Sequence, residues 1–244
     1  MCNYANVGAQ SYSFRKFDLP GALAQLITLG GTLMEFCAVH FPPDPEHPGL
    51  DAVLERIHAE GITVPSYGVE GFGADRTLNR RKFAFAKKLG AECLSADPEP
   101  DSFDNLEGLV DEFNMKVAIH NHGPDARYDK VADTLAAVRG RHPYIGACLD
   151  TGHALRSGEA PHEVIEQLGK RLISVHLKDW KAGSGETAIG EGDLDLQKTV
   201  AGLRAVGFAG FICMEYELDP ENPVPACCAA CATGATPSPD SAET

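Results

Sequence analysis

The sequence predicts an α/β protein folded as one closed barrel of eight parallel strands joined by helices, a (β/α)8 barrel. Apolar runs rich in β-branched residues alternate with amphipathic stretches roughly every 25–35 residues. No hairpin signal separates one run from the next, so parallel strands connected by helices are favoured. Ser13–Lys16, after the first run, is not the glycine turn that an open nucleotide-binding sheet would show.

Eight apolar runs are the predicted strands. They are Val7–Phe14, Thr32–His40, Thr63–Val69, Glu92–Ala96, Lys116–His122, Ile145–Asp150, Leu172–Leu177 and Phe211–Glu217. Between them apolar residues recur at helical spacing, for example Leu106, Leu109 and Val110. Several of these stretches run into a glycine, such as Gly90 or Gly207, where a helix is expected to end.

Two regions depart from the alternation. Phe41–Pro48 is a stiff, proline-rich loop after the second strand, on the side of a barrel where active sites lie. After Pro225 small residues begin a truncated last helix, and 233–244 is rich in Pro, Ser, Thr and Asp, which predicts a disordered tail. We therefore expect one barrel domain over residues 1–232. The last helix contains three cysteines, Cys227, Cys228 and Cys231, whose spacing resembles a metal or redox cluster. No second pair of ligands accompanies them, so we favour the interpretation that they are simply small residues on one face of the helix.

The composition restricts the classes of partner. A formal net charge of −14 argues against a nucleic-acid surface, which needs clustered basic residues. No run approaches the ~18–20 apolar residues that span a bilayer, and the first residues lack the features of a secretory signal. Four of the cysteines lie in apolar strand patterns, where buried, reduced thiols are expected; they are Cys37, Cys93, Cys148 and Cys213. We expect a cytoplasmic protein that binds neither nucleic acid nor membrane.

Four predicted strands end in polar side chains. Residues two apart in a strand share a face, so each strand end presents a set of side chains to one side. The sets are Ala118 with His120 and His122, Cys148 with Asp150, Ser174 with His176 and Lys178, and Cys213 with Glu215 and Glu217. The deeper member of each set is small and leaves room above it. All four sets are expected to meet at the carboxyl-terminal mouth of the barrel.

The side-chain types at this mouth indicate one divalent metal ion. Asp, Glu and His together suit a borderline-to-hard ion, with Mn2+ favoured and Mg2+, Co2+ or Zn2+ as alternatives. Carboxylates at the ends of apolar strands are costly to bury unless they are paired or ligated, and a cation removes that cost. The alternative is a hydrogen-bonded ionic network without a metal.

Three further side chains near the mouth are candidates for substrate binding. His153, three residues after Asp150, is favoured as a substrate contact, with capping of the next helix as the alternative. Lys178 shares the inward face with His176 and is a candidate to hold a substrate oxygen, although it could also be a surface lysine. His40 closes the second strand and is either a pocket wall or a structural histidine.

Other acidic residues have both a functional and a structural interpretation. Glu35 and Glu70 are candidates to support the metal ligands, and Glu217 is expected at the rim or in a salt bridge. Gly190–Asp193 is either the edge of a flexible lid or a turn in which Asp193 caps the following helix. The sequence leaves both alternatives open.

Four stretches carry a family resemblance: Asp150–His153, Val175–Asp179, Gly190–Gly192 and Met214–Glu215. With them, the chain from Val7 to about Pro225 resembles the xylose isomerase-like TIM-barrel superfamily. That superfamily includes sugar phosphate isomerases and epimerases, inosose dehydratase and endonuclease IV. The resemblance implies the same barrel, a divalent metal and a sugar or polyol substrate. It also implies a homodimer, because relatives pair through their barrel faces.

The resemblance implies roles for individual residues. In ketose epimerases of the family, the metal lies between Glu, Asp, His and Glu from strands five to eight. Asp150, His176 and Glu215 match three of these ligands. His153 matches a histidine that contacts the substrate oxygens.

The fourth ligand position departs from the family pattern. Many relatives read Glu-Asn-His at the end of strand five, where this chain reads His120-Asn121-His122. A histidine can ligate the ion, so His120 is the expected fourth ligand. The two-glutamate proton relay does not survive unchanged: Glu215 is the expected base, and His120 or His122 the partner acid.

Two enzyme functions follow from the resemblance. The first is a divalent-metal-dependent sugar or sugar phosphate isomerase or epimerase that works through a metal-stabilised enediolate. The second is an inosose dehydratase-like lyase that removes water from a keto-polyol, which the histidine-rich end of strand five favours. A metal-dependent endonuclease is disfavoured by the charge of −14 and by too few ligands for several zinc ions. A non-catalytic ligand-binding barrel is the remaining alternative.

Overall fold

The structure is a computed structural model and describes residues 6–224. The expected last helix, its cysteine cluster and the predicted tail lie outside these residues. The strands are β1 (Val7–Gln10), β2 (Met34–Glu35), β3 (Ser66–Phe72), β4 (Cys93–Pro98), β5 (Lys116–His120), β6 (Ile145–Asp150), β7 (Leu172–Leu177), β8 (Asp179–Lys181), β9 (Gly185–Thr187) and β10 (Phe211–Met214). The helices are α1 (Leu19–Thr28), α2 (Leu50–Ala59), α3 (Arg76–Leu89), α4 (Phe103–Phe113), α5 (Val131–Val138), α6 (Thr151–Arg156), α7 (Pro161–Leu168) and α8 (Leu196–Ala205).

Eight strands form one parallel sheet in the order β2-β1-β10-β7-β6-β5-β4-β3. The two ends of this order meet through isolated parallel bridges between Leu33 and Thr63 and between Phe36 and Tyr67. The sheet therefore curves into a nearly closed barrel. Helices connect consecutive barrel strands, as parallel pairing requires. The predicted (β/α)8 barrel is confirmed.

Local sequence chemistry sets the helix ends, and α3 is an example. The Asp75 carboxylate accepts hydrogen bonds from the N–H groups of Thr77 and Leu78 at 2.8 and 3.1 Å, which caps the helix start. Gly90 ends the helix in a left-handed conformation, at φ 82°. Phe83 on the inner face is fully buried, which holds the helix against the barrel.

Four of the eight barrel strands, β1, β2, β5 and β10, end earlier than the apolar patterns predict, whereas β3 and β4 end later. The predicted strand Val7–Phe14 stops at Gln10, whose side-chain oxygen accepts a hydrogen bond from the N–H of Tyr12 and begins a 3-10 turn. The predicted strand Thr32–His40 contributes only the two residues of β2. Glu215 follows β10 instead of lying within it. At these strand ends the backbone therefore leaves the hydrogen-bonded sheet, and polar side chains reach the mouth of the barrel.

The expectation of no hairpin is wrong after β7. There β8 and β9 pair antiparallel, with Trp180 opposite Glu186. Gly183 and Gly185 both have positive φ and close the turn between the two strands. This Gly-Ser-Gly sequence was the available hairpin signal.

The buried carboxylate of Asp179 holds the hairpin and the loop that follows it. It accepts hydrogen bonds of 2.8–3.0 Å from the backbone N–H groups of Trp180, Gly190, Gly192 and Leu194. A Cβ at Gly192 would stand 2.2 Å from Asp179 Oδ1, so this close approach requires glycine. Asp193 does not cap α8, contrary to one of the two interpretations of this loop; Asp195 does.

The buried thiols agree with the expectation from the sequence. Four cysteines within residues 6–224 are free and buried: Cys37, Cys93, Cys148 and Cys213. Within the same range, none of the helices has the length and apolar character that crossing a bilayer requires.

Replacing Asp179 is expected to destabilise the protein strongly. Asp179→Ala leaves four backbone N–H groups without their charged acceptor, so the free energy of unfolding should fall by about 3 kcal/mol. Urea unfolding followed by circular dichroism measures this change. Asp193→Ala is the control, because the exposed Asp193 accepts one hydrogen bond, from the N–H of Ala182; its cost should stay below about 1 kcal/mol. Equal costs for the two variants would contradict the anchoring role of Asp179.

Candidate metal centre and active site

A cavity of about 540 Å3 lies at the carboxyl-terminal mouth of the barrel. Six residues singled out from the sequence line it: His120, His122, His153, Lys178, Glu215 and Glu217. Asp150 and His176 are fully buried next to them. The polar ends of β5, β6, β7 and β10 therefore converge on one site.

Four of these side chains form a compact cluster. His120, Asp150, His176 and Glu215 each offer one potential ligand atom, and these four atoms all lie within 4.8 Å of one another. His176 Nδ1 is 3.0 Å from His120 Nε2 and 3.3 Å from Glu215 Oε2. Asp150 Oδ2 is 3.7 Å from His120 Nε2. The cluster forms because its strands are successive neighbours in the sheet.

Several polar atoms of the cluster have no hydrogen-bond partner within residues 6–224. They are His120 Nδ1, Asp150 Oδ2, His176 Nε2 and Glu215 Oε2. Ion-pair contacts reach three of these atoms, but buried polar atoms are rarely left without a hydrogen-bond partner, which fits the binding of a further ligand here. Two carboxylates and two imidazoles form a donor set that fits a divalent ion such as Mn2+ or Zn2+.

A second group of three residues, His120, Cys148 and His176, is also compact enough to hold a metal. Burial raises the pKa of the Cys148 thiol, which disfavours the thiolate that metal binding needs. The cluster that contains Asp150 and Glu215 is therefore the better candidate metal site.

Lys178 keeps the acids of the cluster ionised. Its Nζ is 3.5 Å from Asp150 Oδ2 and 3.4 Å from Glu215 Oε2, and it also contacts Glu217 Oε1. Burial acts to raise the pKa of Glu215, but Lys178 and His176 together outweigh burial and lower that pKa to about 2. Lys178 likewise lowers the pKa of Asp150 against the effect of burial. Both carboxylates are available as ligands at neutral pH.

The histidines of strand five are kept neutral. Burial, reinforced by the neighbouring His176, lowers the pKa of His120 well below its usual value. Burial and the nearby His153 ring lower the pKa of His122. A neutral imidazole can ligate a metal or accept a proton, so both functions are open to these residues at neutral pH.

Glu35 contacts His176 through the ring nitrogen that does not face Glu215. Its Oε1 is 3.3 Å from His176 Nε2 and accepts a hydrogen bond of 2.9 Å from Gln10 Nε2. Burial acts to lower the pKa of His176, but Cys148 and Glu35 raise it well above the usual value. A carboxylate at the second nitrogen of a ligating imidazole fixes the orientation of the ring. Glu35 has the geometry expected of a supporting residue, and Gln10, which the strand pattern did not indicate, extends that support.

Asp150 links the cluster to helix α6. Its Oδ1 accepts a hydrogen bond of 2.7 Å from the N–H of His153 and caps the helix, while its Oδ2 faces Lys178. The cap is therefore Asp150, which leaves the His153 ring in the cavity wall. Asn121, also missed by the strand pattern, bonds the Asp150 backbone N–H and C=O at 2.8 and 3.0 Å.

Two residues named from the sequence lie away from the cavity. His40 is not among the lining residues, and its ring stands edge-on to Phe36 with the centroids 6.2 Å apart. This placement favours the structural interpretation of His40 over substrate contact. Glu70 is paired with Lys82 at 2.8 Å and does not support the ligands.

Arg156 and Tyr12 line the cavity although the strand-end pattern did not indicate them. Arg156 ends α6, three residues after His153, so helical i, i+3 spacing was the available signal. Tyr12 lies in the 3-10 turn after β1, where no regular period marks a face.

Glu186 on the β8–β9 hairpin adds a carboxylate close to Glu217. Its Oε1 accepts a hydrogen bond of 2.6 Å from the backbone N–H of Glu217. Burial raises the pKa of Glu186 to about 7, although that hydrogen bond and Lys178 oppose the shift. This carboxyl group therefore ionises near neutral pH.

The fold and the cluster define a parallel barrel with a candidate divalent-metal site at its mouth. The sequence matches the protein family described as Xylose isomerase-like TIM barrel over residues 23–230. The chain belongs to the xylose isomerase-like TIM-barrel family, as the resemblance of its motifs indicated.

Curated relatives are enzymes and catabolic proteins. The chain is 31% identical to the 3-oxo-isoapionate decarboxylase of Pectobacterium atrosepticum over 205 residues, which are 75% of this chain and 72% of that protein. It is 29% identical to the rhizopine catabolism protein MocC of Rhizobium meliloti over 140 residues, 50% of this chain and 42% of MocC. It is 27% identical to the inosose dehydratase of Clostridium beijerinckii over 139 residues, 49% of this chain and 46% of that enzyme. The matches to MocC and inosose dehydratase thus span less than half of either relative.

Solved structures share the barrel over nearly the whole chain. An uncharacterized protein from Parabacteroides distasonis has a TM-score of 0.73 at 28% identity, covering 93% of this chain and 96% of that one. The IolI protein with a bound zinc atom has a TM-score of 0.75 at 17% identity, covering 94% and 96%. The 3-keto-D-glucoside 4-epimerase YcjR of E. coli has a TM-score of 0.72 at 16% identity, covering 93% and 98%. At these low identities the last two show the same fold.

Glu186 is expected to make stability depend on pH. Its pKa in the folded protein, about 7, lies above the ordinary value of 4.5, so the folded state binds this proton more tightly than the unfolded state. The free energy of unfolding of the wild type should therefore fall as the pH rises from about 4.5 through about 7, and Glu186→Gln should remove this decrease. Because the half-buried side chain is partly screened by water, the free energy of unfolding of the variant should gain about 1 kcal/mol on the wild type from about pH 4.5 to pH 7.5.

Urea unfolding at several pH values measures this gain. Glu191→Gln is the control, since Glu191 is an exposed glutamate in the loop after the same hairpin. It should leave the pH profile as in the wild type. A profile for Glu186→Gln parallel to that of the wild type would refute the raised pKa.

Proposed function

We propose that this protein is a divalent-metal-dependent sugar or sugar phosphate isomerase or epimerase. The observation that supports this most is the cluster of four ligand-type atoms within 4.8 Å of one another beside an open cavity. Membership of the xylose isomerase-like family and the likeness to a sugar epimerase fold agree with it.

Four residues of the cluster would hold the ion: His120, Asp150, His176 and Glu215. Mn2+ is the favoured ion, with Mg2+, Co2+ and Zn2+ as alternatives, because the donors are carboxylate and imidazole. When bound, such an ion supplies Lewis-acid polarisation of adjacent carbonyl and hydroxyl oxygens of a substrate. Asp150 and Glu215 are already ionised beside Lys178, so they do not have to lose a proton before they bind the ion.

Glu215 is the proposed base that removes a proton from the carbon next to the substrate carbonyl. It lines the cavity, and its Oε2 lies between His176 and Lys178 at 3.3 and 3.4 Å. The ammonium of Lys178 keeps Glu215 in the form that accepts a proton. His153 and Lys178, in the wall of the same cavity, are placed to hold the substrate oxygens.

His122 is the proposed partner that returns the proton. His120 belongs to the ligand cluster, so a bound ion would engage its ring, whereas His122 lines the cavity outside that cluster. The ring centroids of His122 and His120 are 4.5 Å apart, so His122 stands next to the reacting centre. Its neutral imidazole can carry a proton at one nitrogen and accept one at the other.

A lyase that removes water from a keto-polyol is the second candidate function. The observation that favours it is the pair of imidazoles at the end of strand five, since an imidazole that donates a proton to a hydroxyl group assists its departure as water. Identity to inosose dehydratase over about half of the chain agrees with this alternative. The two functions share the first proton abstraction and differ in the second step.

The wild-type protein is expected to bind about one divalent ion per chain. Asp150→Asn keeps the helix cap but weakens the ligand, so affinity for Mn2+ should fall at least about a hundredfold. Calorimetric titration with Mn2+ and metal analysis after dialysis measure this. Cys148→Ser is the control and should bind Mn2+ as the wild type does. Loss of binding in Cys148→Ser with retention in Asp150→Asn would assign the ion to the thiol group instead.

Proton exchange with solvent tests the proposed reaction. We expect the Mn2+-loaded protein, incubated in D2O with ketoses and keto-inositols, to incorporate deuterium into a recovered isomer. Net loss of water from the substrate would support the lyase instead. No exchange and no water loss on any polyol ketone would contradict both enzyme functions.

Two variants test the proposed proton-transfer groups in this assay. Glu215→Gln should slow exchange by about 10²–10⁴-fold, but it also removes a ligand. His122→Gln lies outside the cluster, so it should keep the ion and still slow turnover by about a hundredfold. Full turnover by His122→Gln would remove His122 from the proposed mechanism.

A further inference from the structure

Arg156 presents an unpaired positive charge to the cavity. Its side chain lines the cavity, and no acidic side chain within residues 6–224 pairs with its guanidinium. Its close partner there is the Trp180 ring, whose centroid lies 5.5 Å from Arg156 Cζ. A guanidinium over an indole ring is held in place by a cation–π contact that leaves its N–H donors free.

The backbone places Arg156 on the same side as the candidate active site. Asp150 caps α6, and His153 and Arg156 follow at three-residue intervals, which puts both on one face of the helix. Gly123 lies against that face in a left-handed conformation, φ 86°. A Cβ there would stand 3.4 Å from Arg156 Cδ and 3.5 Å from His153 Nδ1, which is ordinary packing distance, so both side chains lie directly against Gly123.

The other charged side chains of the cavity are already paired with side chains of opposite charge. Glu215 and Glu217 line it, and both contact the ammonium of Lys178. His122 and His153 complete the wall around Arg156, and neither side chain carries a negative charge. In the part of the lining that the structure describes, Arg156 is the cation without an acid. Arg156 is exposed, so its guanidinium is open both to solvent and to a ligand that enters the cavity.

We propose that Arg156 binds a terminal oxyanion, a carboxylate or a phosphate, on the polyol substrate. The proposal rests on the proposed function and names its substrate class: an acidic or phosphorylated sugar whose other end reaches the metal cluster. The planar fork of N–H donors in arginine matches two oxygens of either anion, while neutral hydroxyl groups offer no such pair of charged acceptors. Arg156 would thus select anionic over neutral polyols.

Three six-carbon probes test this selection: D-gluconate, D-glucitol 6-phosphate and the neutral D-glucitol. Calorimetric titration of the Mn2+-loaded protein should show at least one anion binding at least about tenfold more tightly than D-glucitol. The anion that binds more tightly identifies carboxylate or phosphate as the recognised group. Equal binding of all three probes, or no binding of either anion, would overturn the proposal.

Variants assign the preference to Arg156. Arg156→Gln should bring the anions to within about threefold of D-glucitol, and Arg156→Lys should keep part of the preference because it keeps the charge. Arg204→Gln, which removes an exposed arginine of α8 outside the cavity lining, should keep all of it. A preference that survives in Arg156→Gln would place the anion on the metal ion instead and would refute the proposal.

This failure is distinguishable from failure of the proposed function. Mn2+ binding and deuterium exchange are measured without these probes. If exchange occurs but the anion preference is absent, only the role of Arg156 is wrong. If the preference depends on Arg156 but no polyol ketone exchanges a proton or loses water, the anion site stands and the proposed reaction is wrong.

Discussion

The ammonium of Lys178, held among three carboxylates, is the interaction on which the candidate site depends. Asp150 and Glu215 are buried at the ends of apolar strands, where a carboxylate without a cation would be costly. Lys178, 2% exposed, contacts both of them and Glu217. The stem of Lys178 explains Gly152, since a Cβ there would stand 2.6 Å from Lys178 Cγ. One buried lysine thus fixes the charge of the acids and the residue type at the start of α6.

The barrel and the core of the site could be predicted because both follow from local patterns. Alternation of strands and helices at a steady spacing defines the barrel, and period-two parity assigns an inward face to each strand. The alternation of side chains along each strand predicted that His120, Asp150, His176 and Glu215 face the barrel interior. In the structure their potential ligand atoms lie within 4.8 Å of one another. The same parity placed Lys178 beside them.

The residues that the sequence did not reveal act outside strand periodicity. Gln10 supports the site through a hydrogen bond to the Glu35 carboxylate, and Asn121 does so through a hydrogen bond to the Asp150 backbone. Both contacts join different strands, so they depend on which strands are neighbours in the sheet. Arg156 ends a six-residue helix that is too short to show an apolar period. The β8–β9 hairpin is three residues per strand, and Asp179 ties it to the following loop through Gly190 and Gly192. In each case the deciding contact is tertiary.

The imidazole at position 120 affects charge as well as proton transfer. A glutamate there would add a third carboxylate to Asp150 and Glu215, and burial keeps His120 neutral instead. The cluster is therefore one unit less negative, and an ion bound to it would retain more of its positive charge toward the cavity. Arg156 adds a further positive charge in the cavity wall. The less negative cluster agrees with the proposed binding of an oxyanion by Arg156, and in the proposed mechanism it leaves the return of the proton to an imidazole, that of His122.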